Sequence, residues 1–157
     1  MKKATIIFFL FIVIINSFAY AYPYTKILIE LPNGKSEESR LIAIERMREY
    51  SKAAIHVTYN PSKKEEQNNY DLVIVLGLPK DSPELQSQWQ KHPAAIKDSY
   101  IINSASAKPL IIMASGINDR GILYAAYHLA DMLKAGADIS RLQLFFQPKI
   151  SGVMDKK

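Results

Sequence analysis

The side chains able to do chemistry are few and widely spaced. The 157-residue sequence holds no cysteine, which removes disulfides, cysteine-ligated zinc, a thiol nucleophile and a lipid-modified N-terminal cysteine together. Its three histidines, His56, His92 and His128, stand far apart, and no HExxH helix is present. His128 and Asp131 share a helical stretch, near enough to meet one metal. No third ligand follows them, and structural zinc takes four. His56 alternates with the core face of its strand, and His92 precedes Pro93 in a loop. No metal and no cofactor are expected. Glycoside hydrolysis needs two acids facing each other across a cleft. Glu37, Glu38, Glu65, Glu66, Asp81 and Glu84 fall at helix starts and in loops, the usual places for capping or solvated carboxylates, and no two are marked as partners.

Gly116-Ile117-Asn118-Asp119-Arg120-Gly121 lies between a strand and a helix, where free N–H groups attract anions. Ile122-Leu123 follows instead of Lys-Ser/Thr, and the third glycine of a dinucleotide fingerprint is missing. A capped turn therefore outweighs a phosphate loop. Trp89, the only tryptophan, together with Tyr100, Tyr124 and Tyr127 offers a sugar-stacking face. The commoner fate of such rings is packing between helix and sheet. The binding candidates are Trp89, Asn118, Asp119, Arg120 and Tyr124, and no catalytic residue is assigned.

The elements that position these residues begin after an address segment. Lys2 and Lys3 precede an apolar run from Ile6 to Ile15, and Ala19-Tyr20-Ala21 supplies small residues at a cleavage site. A spanning helix needs about 20 apolar residues, twice this run. Residues 1–21 read as a signal peptide, which predicts a secreted or periplasmic protein with no membrane segment after cleavage. Removing Lys2 and Lys3 lowers the formal charge from +5 to +3 on the 136 residues left. That balance gives no footprint for nucleic acid.

With 48% apolar and 22% charged residues, the chain is globular in composition. Ile27, Ile29 and Leu31 alternate as a strand. Pro32-Asn33-Gly34 is a turn, and Ser36 caps a helix with Glu37 and Glu38 in its first turn. Leu41, Ile44 and Met47 recur on that helix up to about Ser51. Ala54 to Tyr59 alternates as a half-buried strand, and Asn60 to Asn69 is a polar surface loop. Leu72 to Leu76 is continuously apolar, as in a central strand covered on both faces. A short helix over Glu84 to Gln90 precedes strands over Ser99 to Asn103 and Leu110 to Met113, which form an antiparallel hairpin. Ile122, Ala125, Ala126, Leu129 and Leu133 stripe a helix to Lys134, capped by Asn118 or Asp119 and stopped by Gly136. Leu142, Leu144 and Phe146 alternate before Pro148. The order predicts one α/β domain of α+β type over residues 22–150, a mixed sheet with two main helices packed on it, then a tail over 151–157.

Three stretches carry a resemblance. Leu72-Val73-Ile74-Val75-Leu76-Gly77-Leu78-Pro79 with Asp81-Ser82-Pro83 resembles the strand-Gly-Ser-Pro segment in the N-terminal domain of bacterial α-glucuronidases of glycoside hydrolase family 67. Asp98-Ser99-Tyr100-Ile101-Ile102 resembles its Glu-Gly-Tyr strand, with Asp-Ser in place of Glu-Gly. Leu110 to Ala114, leading into Asn118-Asp119-Arg120-Gly121-Ile122-Leu123-Tyr124-Ala125, is similar to its next strand and Arg-Gly-Val-Leu-Tyr-Gly helix start, with Ala125 replacing a glycine. Similar accessory domains precede the barrel of β-hexosaminidase-type enzymes. The resemblance implies a zincin-like accessory-domain fold without its metal centre. In those enzymes a catalytic barrel of about 250 residues follows. Here Gln147-Pro148-Lys149-Ile150 resembles the linker into it, and no catalytic position of the family can be carried over. The implied function is a stand-alone, non-catalytic module of polysaccharide (glucuronoxylan-type) metabolism, with a glycan or a separate glycosidase chain as partner. The alternatives are a truncated or split α-glucuronidase and a small independent hydrolase.

Overall fold

A computed structural model describes residues 24–32, 38–51 and 53–148. The expected signal peptide, the Asn33-Gly34 turn, the Ser36 cap with Glu37, the Lys149-Ile150 end of the linker and the 151–157 tail lie outside them. The elements run β1 (Lys26–Glu30), α1 (Glu38–Tyr50), β2 (Ala54–Thr58), α2 (Lys64–Gln67), β3 (Leu72–Gly77), a 3-10 turn (Pro79–Asp81), α3 (Pro83–Trp89), β4 (Tyr100–Ala107), β5 (Leu110–Gly116), α4 (Asp119–Lys134) and β6 (Gln143–Phe146).

One six-stranded sheet has the order β2-β1-β3-β5-β4-β6. β2, β1, β3 and β5 are mutually parallel; β4 pairs antiparallel with both β5 and β6. This is the expected mixed α/β architecture. β3 is buried at every position because both its faces are covered. Leu72, Ile74 and Leu76 meet α1 and α4 in one core, while Val73 and Val75 join Leu28 and Leu85 of α3 in a smaller core behind. Helices α1 and α4 thus share the first face of the sheet, and α3 lies on the second. Arg46 bridges the seam between the two long helices, stacking at 4.0 Å over Tyr50 and 5.5 Å from Tyr127.

Helix α4 has both of its predicted ends. Asn118 Oδ1 accepts from Gly121 N–H at 2.9 Å. At the other end Gly136, with φ +66°, lets its own N–H reach Leu133 O and Ala137 N–H reach Met132 O, a Schellman closure.

Four details depart from the sequence reading. The buried face of α1 is Arg40, Ala43, Ile44 and Met47, and Leu41 points outward at 42% exposure. An arginine takes the position that completes the stripe, so hydrophobic spacing misassigns the first turn. β4 extends to Ala107 through a bulge between Ser104 and Ser106, leaving only Lys108 and Pro109 as the hairpin turn. The segment after Leu142 forms the edge strand β6. The polar loop after Asn60 contains the one-turn helix α2.

Candidate functional site

Chain direction sets where a ligand cleft can open. From β1 the chain crosses to β2 through α1 on the first face. From β3 it turns through Pro79–Asp81 into α3 on the second face. Two neighbouring parallel strands that send their connections to opposite faces leave a crevice beyond their carboxyl ends, the common ligand position in open α/β sheets.

A cleft of about 480 Å³ occupies this place on the second face. Its apolar lining comes from Val75 of β3 with Ile111 and Met113 of β5. Pro32, Pro61 and Pro83 stand around it, each closing a chain segment that enters or leaves the sheet. Its charged groups are Glu30, Asp81 and Glu84; among the described residues no lysine or arginine lines it.

The three carboxylates differ in state. Asp81 Oδ2 accepts from Arg40 Nη2 at 2.7 Å and from Leu78 N–H at 2.8 Å, and neither side chain of the Arg40–Asp81 pair reaches solvent. Glu30 is 3% exposed. Its Oε1 accepts from Ser62 N–H at 3.1 Å and from Gln67 Nε2 at 3.0 Å. Those bonds pin the loop after β2 to the end of β1, and Oε2 receives neither donor. Glu84 is exposed in the first turn of α3, whose N-cap Ser82 accepts from Leu85 N–H at 3.2 Å.

A second hollow of about 420 Å³ lies between the ends of β3 and β5, lined by Leu78, Pro79, Lys80, Ile117, Asn118 and Asp119. Asn118 and Asp119 therefore sit together at a concave surface. Asn118 is engaged on both sides of its amide: Oδ1 caps α4 and Nδ2 donates to Asp98 Oδ1 at 2.8 Å. Arg120 Nη1 reaches Asp98 Oδ2 at 3.5 Å. Asp98 holds φ +66°, a left-handed conformation that aspartate tolerates. The glycines around this loop answer to packing. A Cβ on Gly121 would lie 2.5 Å from Ser99 O, and one on Gly116 2.1 Å from Ile122 N. The strand end and the helix start touch there backbone to backbone.

The aromatic candidates separate. Trp89 is 7% exposed on the second face, and its Nε1 donates to Ser115 Oγ at 2.9 Å. Phe145 stands edge-on to Trp89 and stacks on His92 with centroids 4.0 Å apart. Tyr124 is 42% exposed on α4, across the sheet from Trp89. Tyr100 is buried on the first face, where its Oη lies 3.0 Å from His128 Nδ1 and its ring stacks on Phe146. Burial raises the Tyr100 phenol above its ordinary pKa. Trp89, Tyr100, Tyr124 and Tyr127 therefore form no common face. His128 is committed to Tyr100, and among the described residues no group of three or more His, Asp or Glu could hold a metal ion. No helix among them is long and apolar enough to cross a membrane.

Sequence reasoning passed over Glu30. The signal available was a carboxylate ending the otherwise apolar strand Ile27-Leu28-Ile29-Glu30.

The chain matches no protein-family model and no curated protein. Among solved structures it is similar to a family GH115 4-O-methyl-α-glucuronidase with specificity for decorated arabinogalactans, at 14% identity and a TM-score of 0.46. The similarity covers 69% of this chain and 13% of that one.

Proposed function

We propose that this chain is an exported glycosidase accessory module that binds glycan and does not cut it, in the service of glucuronoxylan-type polysaccharide metabolism. The observation that carries the reading is the cleft at the β1/β3 switch point. A sugar ring has an apolar C–H face and a rim of hydroxyls, and this cleft offers Val75, Ile111 and Met113 for the first and a carboxylate oxygen of Glu30 for the second. The carboxylate that would complete a hydrolytic pair is consumed: Asp81 is bound to Arg40 and the Leu78 amide. The three stretches that resemble α-glucuronidase N-terminal domains form β3, β4, β5 and the start of α4, contiguous in the sheet.

A second reading, a split α-glucuronidase whose barrel is another chain, draws on different residues. Leu41, Ile42, Ile117 and Tyr124 are large apolar side chains exposed at or near the starts of α1 and α4. Partnered surfaces are rich in such residues.

Affinity electrophoresis through gels containing glucuronoxylan or other soluble glycans, beside an assay on aryl-glucuronides, tests the proposal. Retardation without turnover is expected. Turnover that disappears with carboxylate substitution would reject the module reading, as would a protein that binds neither glycan nor a glycosidase chain. N-terminal sequencing of the exported protein tests export, with Tyr22 as the expected first residue.

A further inference from the structure

Resting on the reading that the switch-point cleft takes glycan, we infer that it accepts an uncharged sugar unit and excludes a uronate. Charge argues the exclusion, and donor balance argues for a hydroxyl-bearing ring. Of the three carboxylates lining the cleft, only Asp81 has a cation, Arg40, and that pair is closed to solvent. Glu30 and Glu84 leave a negative field, with no basic side chain among the described residues lining the cleft to offset it. In a partly desolvated site, like charges a few ångströms apart repel far more than in water.

The second feature is donor and acceptor balance. Glu30 is 97% buried, and both of its donors, Ser62 N–H and Gln67 Nε2, converge on Oε1. Oε2 takes neither bond, and Glu30 lines a cleft that is otherwise floored by Val75, Ile111 and Met113. A carboxylate only accepts, so the group that satisfies it must donate. A ring hydroxyl donates, on a neutral sugar and on a uronate alike; the uronate's own carboxylate cannot take that place and adds a like charge. A ligand that covered this oxygen without donating to it would leave an acceptor unmet, which is costly, so a hydroxyl-bearing ring is favoured there. Glycans carrying uronic acids would then be held at their neutral units, with the acidic branches outside the cleft.

The test is a titration of backbone amide NMR signals in the folded chain. The ligands are xylotetraose, cellotetraose and the β-1,4-tetraglucuronate that differs from cellotetraose only at C6. The neutral tetrasaccharides are expected to move the amides of Ser62, Gln67 and Met113, and the tetraglucuronate to bind there at least about ten-fold more weakly. Glu84→Lys, at an exposed position, is expected to cut that gap to about three-fold or less. Glu30→Gln, with unchanged circular dichroism, is expected to weaken cellotetraose about five-fold or more. Tetraglucuronate binding as tightly as cellotetraose at these amides would overturn the inference and leave the glycan-module reading standing. A neutral-sugar response confined to residues around Tyr124 would do the same. No response to any of the three would overturn the inference; if glucuronoxylan gels and glycosidase chains also fail to bind, the module reading falls with it.

Discussion

Arg40 Nη2 lies 2.7 Å from Asp81 Oδ2 with both side chains sealed from water, so the first turn of α1 is bonded to the turn that follows β3. The pair joins the two connections that leave the sheet on opposite faces. Taking away one member removes the opposite charge from a buried ion, which costs about 3–5 kcal/mol in comparable buried pairs. Arg40→Ala is expected to lower the unfolding free energy from urea melts by that much. Replacing both residues, Arg40→Met with Asp81→Leu, is expected to recover most of the loss. Equal destabilisation by the single and double variants would show that shape, not charge pairing, matters there.

Gly121 touches Ser99 O and Gly116 Cα at distances a methyl group cannot share, 2.5 and 3.0 Å. Both obstacles are backbone, so relief requires α4 to move off the sheet. Gly121→Ala is expected to cost more than about 2 kcal/mol. Gly136→Ala meets nothing within 4 Å and carries only the left-handed penalty, about 1–2 kcal/mol. Thermal melts of the two variants would rank them in that order.

Asp71 governs part of the acid limb of stability. Its Oδ2 accepts from Thr25 Oγ1 and Thr25 N–H, both at 2.8 Å, and from Lys26 N–H at 3.0 Å. Hydrogen bonding from Thr25, then from Lys26, holds the carboxyl below its ordinary pKa. A depressed folded value means stability that is present above the unfolded value, about 3.9, and lost as pH falls through the folded one. Asp71→Asn is therefore expected to narrow the difference between urea midpoints at pH 7 and pH 3. Asp138, lowered by Ser140, acts in the same direction and keeps the difference from vanishing. An undiminished difference in Asp71→Asn would remove Asp71 from the acid response.

Ser115 is the acceptor for the buried indole of Trp89 at 2.9 Å. Ser115→Ala leaves that N–H unmet and is expected to cost about 1–3 kcal/mol. Since Trp89 is the sole tryptophan, its emission reads the packing of α3 against the sheet directly. Phe145→Ala, which strips the ring edge-on to Trp89, is expected to shift native emission to the red. An unmoved spectrum would mean that Trp89 is shielded without Phe145.

The strands and α4 were legible because their patterns are local: alternation in β1 and β2, an unbroken run in β3, a full stripe and both caps in α4. The first turn of α1 was not, because its inward position is an arginine whose partner lies beyond β3. β6 showed its alternation but no partner, and only the pairing of Tyr100 with Phe146 makes it a strand. Asn118, Asp119 and Arg120 stood out as a motif; the structure gives Asn118 and Arg120 a bond to Asp98 and seats Asn118 and Asp119 at the smaller hollow. The larger cleft gathers Glu30, Ser62, Val75, Glu84 and Met113 from separate stretches of chain. Nothing in their local spacing announces it, since only the crossing of connections brings them together.

The hairpin of β4 and β5, turned by Lys108 and Pro109 alone, is the most local pairing in the sheet, whereas β1 and β3 meet only after two long crossovers close. Contacts close in sequence form fastest, and distant ones wait on loop entropy. Contact order therefore predicts that the β4–β5 hairpin forms early and β1 docks late, which would leave the cleft beyond β1 and β3 among the last regions completed. A ligand that needs the completed cleft would then leave the refolding rate alone and slow only unfolding.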